Sequence, residues 1–280
     1  MHKNAVRFLS VGSKNWTRLE DLQNGRRTLG GSVAMNDGIY FVAGIKNKNI
    51  DKYDPSTGIF ETVGRTHEYV SSFGICKYDS KNLIFAGGNV GWGLEVNTTY
   101  IYNTETNTLK RVGDLSAPRD GLALVRSENG DIYAIGGHNR KRFFNTIEKF
   151  DKDTQAWNVI DAELVLPRCY FKAVAYKSFI FIIGGRLQDK TVTDTIEKFD
   201  TKTREVKIIE AKLKEARDDY AIAKIDNDVA VIGGCKINNS HNETYSPLNS
   251  VEVINLHSEK LYDRKSQIDE ADCGFTANVV

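Results

Sequence analysis

The chain has 280 residues, enough for one large all-β domain or two smaller ones, and its 40% apolar content supports a packed core. Lys and Arg number 38 against 37 Asp and Glu, a near-neutral balance that argues against a broad positive field for nucleic acid or a membrane surface. No apolar run approaches the roughly 20 residues that span a bilayer. Residues 1–9 hold too short an apolar stretch for a signal peptide, so a cytoplasmic setting is expected. Cys76, Cys169, Cys235 and Cys273 form no C-x-x-C pair and read as free thiols of a reducing compartment.

In chain order, residues 6–10 and 16–19 read as two strands. From about residue 26 the sequence becomes periodic, with repeats at about 26–64, 70–115, 118–164, 167–213 and 216–263. Small pairs close an apolar run at Ala43 and Gly44, Gly87 and Gly88, Gly136 and Gly137, Gly184 and Gly185, and Gly233 and Gly234, with spacings of 44, 49, 48 and 49 residues. Thr-Ile-Glu-Lys-Phe-Asp occurs at Thr146–Asp151 and again at Thr195–Asp200. A period of this size means stacked supersecondary units.

The third repeat shows what one unit contains. An apolar first strand covers 121–125, and the Asn-Gly of residues 128–131 marks a tight hairpin turn. The second strand, 132–137, ends in glycines. A loop, 138–145, leads to an alternating third strand at 147–150, and an outer strand follows at 156–160. A third-strand apolar residue is followed seven positions later by a fourth-strand one: Tyr53 and Phe60, Tyr102 and Leu109, Phe150 and Trp157, Phe199 and Val206, Ile254 and Leu261. Leu9 and Trp16 make a sixth such pair near the start. Alternation plus a fixed turn places each pair across one hairpin.

The fifth repeat carries a longer segment between its second and third strands, 235–250, which reads as an extended loop. Residues 273–280 read as a first strand. A four-stranded sheet cannot bury both faces alone, and radial stacking solves that problem. The expected fold is an all-β propeller: five near-complete four-stranded blades and a partial sixth built from residues 1–22 and 273–280. The second strand of that sixth blade would fall just past Val280, so a chain shorter than its parent is expected.

Signals for catalysis are weak. The five histidines have no metal-ligand spacing. The glycine-rich stretch 87–93 has no helix pattern after it, as a phosphate loop requires. Asp120, Asp218 and Asp219, at the starts of first strands, read as surface or hydrogen-bonding carboxylates. No cofactor, metal or catalytic residue is expected.

Binding signals are stronger. The second-to-third-strand loops hold Lys46, Lys48, Arg140, Lys141, Arg142, Arg186, Lys190 and Lys236 against Glu95, Asp189 and Glu243. The blade-to-blade connections on the same face lean acidic. Such mixed charge suits a protein ligand, including an acidic segment, better than nucleic acid. Residues 138–144 combine His138, Arg140 and Arg142 with Phe143 and Phe144, residue types enriched in binding hot spots. Trp92 offers another aromatic.

Apolar strand, Gly-Gly, Ile-Glu-Lys-Phe-Asp and a Trp seven after the aromatic together resemble the Kelch motif, most closely the Kelch domain of BTB-Kelch adaptors. The resemblance covers almost the whole chain. Ala43, Val206 and Leu261 depart from the pattern. In ligand-binding members of that branch, residues at first-strand starts line the channel mouth. The matching positions here are Arg119 and Asp120, Arg168 and Tyr170, and Arg217, Asp218 and Tyr220. An arginine there can grip a carboxylate with two bonds or can brace the blades, and the sequence leaves both open. The resemblance implies a non-enzymatic interaction module that recognises substrates for a cullin-RING ubiquitin ligase. The BTB and BACK segments that would contact the ligase are not among these residues, so a longer parent or a partner would supply them. An actin-associated scaffold and a sugar-type Kelch enzyme are the alternatives.

Overall fold

The computed structural model describes residues 5–8, 17–21, 30–91, 93–239, 244–262 and 267–272. Every regular element among them is a strand, and no helix is long and apolar enough to cross a membrane.

Four antiparallel four-stranded sheets and a fifth, six-stranded one follow one another along the chain as blades. Blade 1 holds Gly31–Met35, Gly38–Gly44, Asn47–Asp54 and Ile59–Arg65. Blade 2 holds Gly74–Lys77, Asn82–Ala86, Thr99–Asn103 and Thr108–Val112. Blade 3 holds Ala123–Arg126, Ile132–Ile135, Thr146–Asp151 and Ala156–Glu163. Blade 4 holds Lys172–Tyr176, Phe179–Ile183, Thr195–Asp200 and Val206–Lys212. Blade 5 holds Ala221–Ile225, Asp228–Ile232 and Thr244–Asn255, with its outer edge shared by Lys260–Tyr262 and Gln267–Asp272. First strands of consecutive blades lie against each other, so they are innermost. The result is a β-propeller.

The seven-residue spacing has the expected consequence. Tyr53 faces Phe60, Tyr102 faces Leu109, Phe150 faces Trp157, Phe199 faces Val206 and Ile254 faces Leu261, each directly across one hairpin. The Phe150 and Trp157 rings meet edge to face with centroids 5.0 Å apart. Such pairs cover one blade face, and that face packs on the preceding blade. Each major core cluster therefore spans two neighbours: Tyr40 and Val42 meet Leu83 and Phe85 between blades 1 and 2, and Ile135 and Ile147 meet Ile180 and Phe199 between blades 3 and 4. Trp157 adds a polar tie, donating from Nε1 to Thr99 Oγ1 of blade 2 at 2.9 Å.

The expected strands near the start form a hairpin of Ala5–Phe8 with Thr17–Asp21. Leu9, Trp16 and the expected strand at 273–280 lie outside the described residues. The segment 235–250 is not a plain loop. Cys235–Asn239 pairs back on Thr244–Asn255, so the third strand of blade 5 extends past the sheet as an arm. Cys76 and Cys169 are free thiols as expected, whereas Cys235 is disulfide-bonded, which corrects the expectation for that residue. Cys273 lies outside the described residues.

Candidate functional site

Four blades enter the centre of the ring in the same way. A residue of the incoming linker bridges the residue just after the glycine pair: Ser71 with Asn89, Asp120 with His138, Cys169 with Arg186, and Asp218 with Cys235. The next linker residue has a left-handed backbone each time, with φ of 54° at Ser72, 61° at Gly121, 53° at Tyr170 and 54° at Asp219. That conformation costs roughly 1–2 kcal/mol at a non-glycine position. A chain of inter-blade bonds holds it: Gly121 N donates to Ser72 O at 2.8 Å, Tyr170 N to Gly121 O at 2.8 Å, and Asp219 N to Tyr170 O at 3.0 Å. The mouth is therefore lined along blades 2 to 5 by an arc of bonded linker backbone that presents side chains.

The arginine just before each bridge does not face that mouth. Arg119, Arg168 and Arg217 are fully buried. Each donates to the carbonyl of the first glycine of its blade's pair, Gly136, Gly184 or Gly233. Each also donates to a third-strand hydroxyl, Thr146, Thr195 or Ser250, and to a buried glutamate, Glu148, Glu197 or Glu252. The glutamate takes two further bonds from the linker, as from Val165 N at 2.8 Å and Leu166 N at 3.0 Å in blade 4. The guanidinium fork is thus consumed inside the blade, joining linker, second strand and third strand. Of the two roles the sequence left open, geometry supports bracing, and these arginines leave the ligand set. Tyr220 leaves it too: it is fully buried, donates to Ile183 O and accepts from Lys172 N.

What remains gathers into one patch. His138 Nδ1 lies 2.6 Å from Asp120 Oδ1, and Asn89 approaches the other Asp120 oxygen. The His138 ring sits 5.2 Å from Phe143 and 5.3 Å from Tyr170. Arg186 donates from Nε to Asp218 Oδ2 at 2.7 Å and lies 5.1 Å from the Tyr170 ring. On its other side, 5.2 Å away, is Tyr245 of the blade 5 arm. Phe143 N donates to Gln188 of the next loop at 2.9 Å. Asp120, His138, Phe143, Tyr170, Arg186 and Asp218 are thus brought together.

Beyond them the loop tip exposes Arg140, Lys141 and Arg142. Arg142 stacks over Phe144, which is buried between it and Arg119 and so is not the surface hot-spot aromatic that its loop composition suggested. Arg140 reaches over Gly93 of the neighbouring loop. Trp92 lies outside the described residues.

Electrostatics grade across the patch. Burial opposes charging of His138, but the hydrogen bond and charge of Asp120 outweigh it and raise its pKa. Burial pushes Asp218 up to about 6, with Arg186 offsetting only part of the effect. Its Oδ1 has no hydrogen-bond partner among the described residues. Burial also pushes the Cys169 thiol well up, away from the thiolate a nucleophile needs. Among the described residues no cluster has the makings of a metal site.

Two features escaped the sequence reading. Tyr245 was hidden because 235–250 looked like a loop. The glutamate partners were in plain view within the repeated Thr-Ile-Glu-Lys-Phe-Asp. Arginine and glutamate recur together in repeats 3 to 5 and are both absent from repeat 2.

Comparison with known proteins matches the same unit. Residues 129–161 fit the Kelch motif model. A stretch of 97 residues is 29% identical to alpha-scruin of Limulus polyphemus, covering 34% of this chain and 10% of that protein. Another of 80 residues is 31% identical to the influenza virus NS1A-binding protein homolog of Xenopus laevis, covering 28% and 12%. The match therefore spans only about a tenth of either relative's length. Among solved structures, YjhT superposes with a TM-score of 0.79 at 14% identity, over 91% of this chain and 88% of that one. One repeat fits the Kelch motif model, blades 2 and 4 share its strand order and glycine pair, and the fold matches a solved structure over 91% of the chain: the chain is a β-propeller with repeats similar to the Kelch motif.

Proposed function

We propose that this propeller is a protein-interaction module whose ligand docks on the axial patch of blades 2 to 5. The observation that carries this reading is the patch itself. Consecutive blades and the blade 5 arm deliver His138, Phe143, Tyr170, Arg186 and Tyr245 into one contact network on a hydrogen-bonded backbone arc. Partly buried aromatics and an arginine held in place lose little entropy on binding, the property of hot spots. The exposed cations of residues 140–142 extend the patch toward an acidic segment of the ligand.

The finer role is substrate recognition for a cullin-RING ligase adaptor. Kelch likeness supports it, and the ligase contacts would come from other segments or partners. An actin scaffold is the rival reading, and a small-molecule enzyme the third.

The test uses fluorescent acidic peptides and their neutral amide counterparts with the wild-type chain and an Arg142→Ala/Tyr245→Ala variant. Tight, salt-sensitive binding of acidic peptides that the variant loses supports the reading. Equal binding of neutral peptides, or no loss in the variant, overturns it. Co-capture of a cullin with this chain from cells supports the adaptor role, and cosedimentation with actin filaments unaffected by the variant supports the scaffold.

A further inference from the structure

Blade 2 builds the arginine cage but places no arginine in it. The bridge of Ser71 with Asn89 matches those of Asp120 with His138 and Asp218 with Cys235, so Val70 stands where Arg119 and Arg217 stand. Strand register identifies the second partner. Phe85 faces Tyr100 as Ala134 faces Glu148 and Ile182 faces Glu197, so Tyr100 replaces the glutamate. By the same register Gly87 matches the acceptor glycines, and Thr98 matches Thr146 and Thr195.

These counterparts line a small open cleft: Val70, Gly87, Thr98 and Tyr100, with His67 and Glu68 of the linker. The backbone of the cage is unchanged, since Gly87 N bonds Thr98 O at 3.0 Å just as Gly136 N bonds Thr146 O at 3.1 Å. The Thr98 hydroxyl, whose counterparts accept from a guanidinium, has no hydrogen-bond partner among the described residues. An anion is still at hand: Glu68 lies on the cleft wall, at the linker position that Glu215 holds 3.6 Å from Arg217 in blade 5. His67 and Tyr100, with rings 5.6 Å apart, add aromatic faces on which a guanidinium stacks. Nearby cations have partners of their own: Lys48 donates to His67 O at 2.7 Å, and Arg111, which faces Tyr100 across the hairpin and feels the charge of Glu68, pairs with Asp114 at 2.8 Å.

We propose that this cleft is a binding site for the guanidinium of an arginine side chain supplied by a partner protein, which completes in blade 2 the cage that blades 3, 4 and 5 complete from within. The proposal is independent of the acidic-ligand reading of the axial patch. The partner would present an exposed arginine, and lysine would bind poorly because a point charge cannot serve a planar set of acceptors.

The probe is N-acetyl-arginine amide, titrated into the isotope-labelled chain and followed by backbone amide shifts, with N-acetyl-lysine amide alongside. Saturable shifts confined to residues 66–70, 85–90 and 96–100 are expected, with arginine about tenfold or more tighter than lysine. The Val70→Arg/Tyr100→Glu variant, which supplies the cage with its own ion pair, should lose that binding. Should that variant fail to fold, Thr98→Val and Glu68→Gln, which alter only the cleft wall, should each weaken arginine binding severalfold. Equal affinity for the two probes, shifts elsewhere only, or binding untouched by these variants would overturn the proposal.

Discussion

In blades 3, 4 and 5 a fully buried arginine and glutamate lock the linker to the second and third strands, whereas in blade 2 Val70 and Tyr100 hold the same positions and a cleft remains. The two partners change together although they lie about 30 residues apart in the chain. Joint replacement is what a buried ion pair requires, because removing one member strands the other without compensation. A ligand-gripping arginine carries no such obligation to a buried glutamate. The comparison therefore separates bracing from recognition: the former is in the repeat, the latter in what each blade adds at the rim.

The sharpest way to break this comparison is Arg168→Ala. It leaves Glu197 buried and unpaired, and chemical denaturation should show a loss of about 3–5 kcal/mol. Val70→Ala at the matching place in blade 2 should cost far less. A smaller effect, about 2–3 kcal/mol, is expected for Gly185→Ala. Its φ is 100°, and an added Cβ would lie 2.7 Å from Phe171 Cβ and 2.8 Å from Cys169 O. Next is the transplant of the blade 2 solution, Arg168→Val with Glu197→Tyr. It should cost about 1–2 kcal/mol, less than Arg168→Ala alone, because both charges leave together. Ala43 occupies the first glycine position of blade 1 with φ of 46°. Ala43→Gly should therefore raise stability slightly, by up to about 1 kcal/mol, measurable as a higher Tm.

The smallest effect is the pH dependence of the rim. The pKa of His138 is raised in the folded state. Its contribution is fully present below the unfolded histidine value and fades as pH rises through the folded one. His138→Asn should thus destabilise by up to about 1 kcal/mol at pH 5.5 and by less at pH 8.5. A penalty that grows with pH would contradict the Asp120 pairing.

The blade was legible because its signals are local. A glycine pair, a tight turn and two apolar residues seven apart all act within one hairpin, so Phe150 and Trp157 could be paired from spacing alone. The direction of Arg119, Arg168 and Arg217 was not legible. A position at the start of a first strand fits a channel mouth, and only the fold shows that the side chain turns inward to a third strand 29 residues on, or 35 for Arg217. The blade 5 arm was lost for a similar reason: a long segment reads as a loop unless its own pairing, Cys235–Asn239 on the extended third strand, is known. The rim patch was half visible, its His138, Phe143 and Arg186 from composition, but Tyr245 reaches it through that arm.

One experiment tests the division most directly. Acidic-peptide binding and thermal unfolding are measured side by side for a brace variant, Arg168→Met, and the rim variant Arg142→Ala/Tyr245→Ala. The account predicts that the brace variant loses many degrees of Tm but binds peptide normally per folded molecule, while the rim variant keeps its Tm and loses binding. A brace variant that stays stable yet no longer binds would contradict it, and would return the buried arginines to the ligand site.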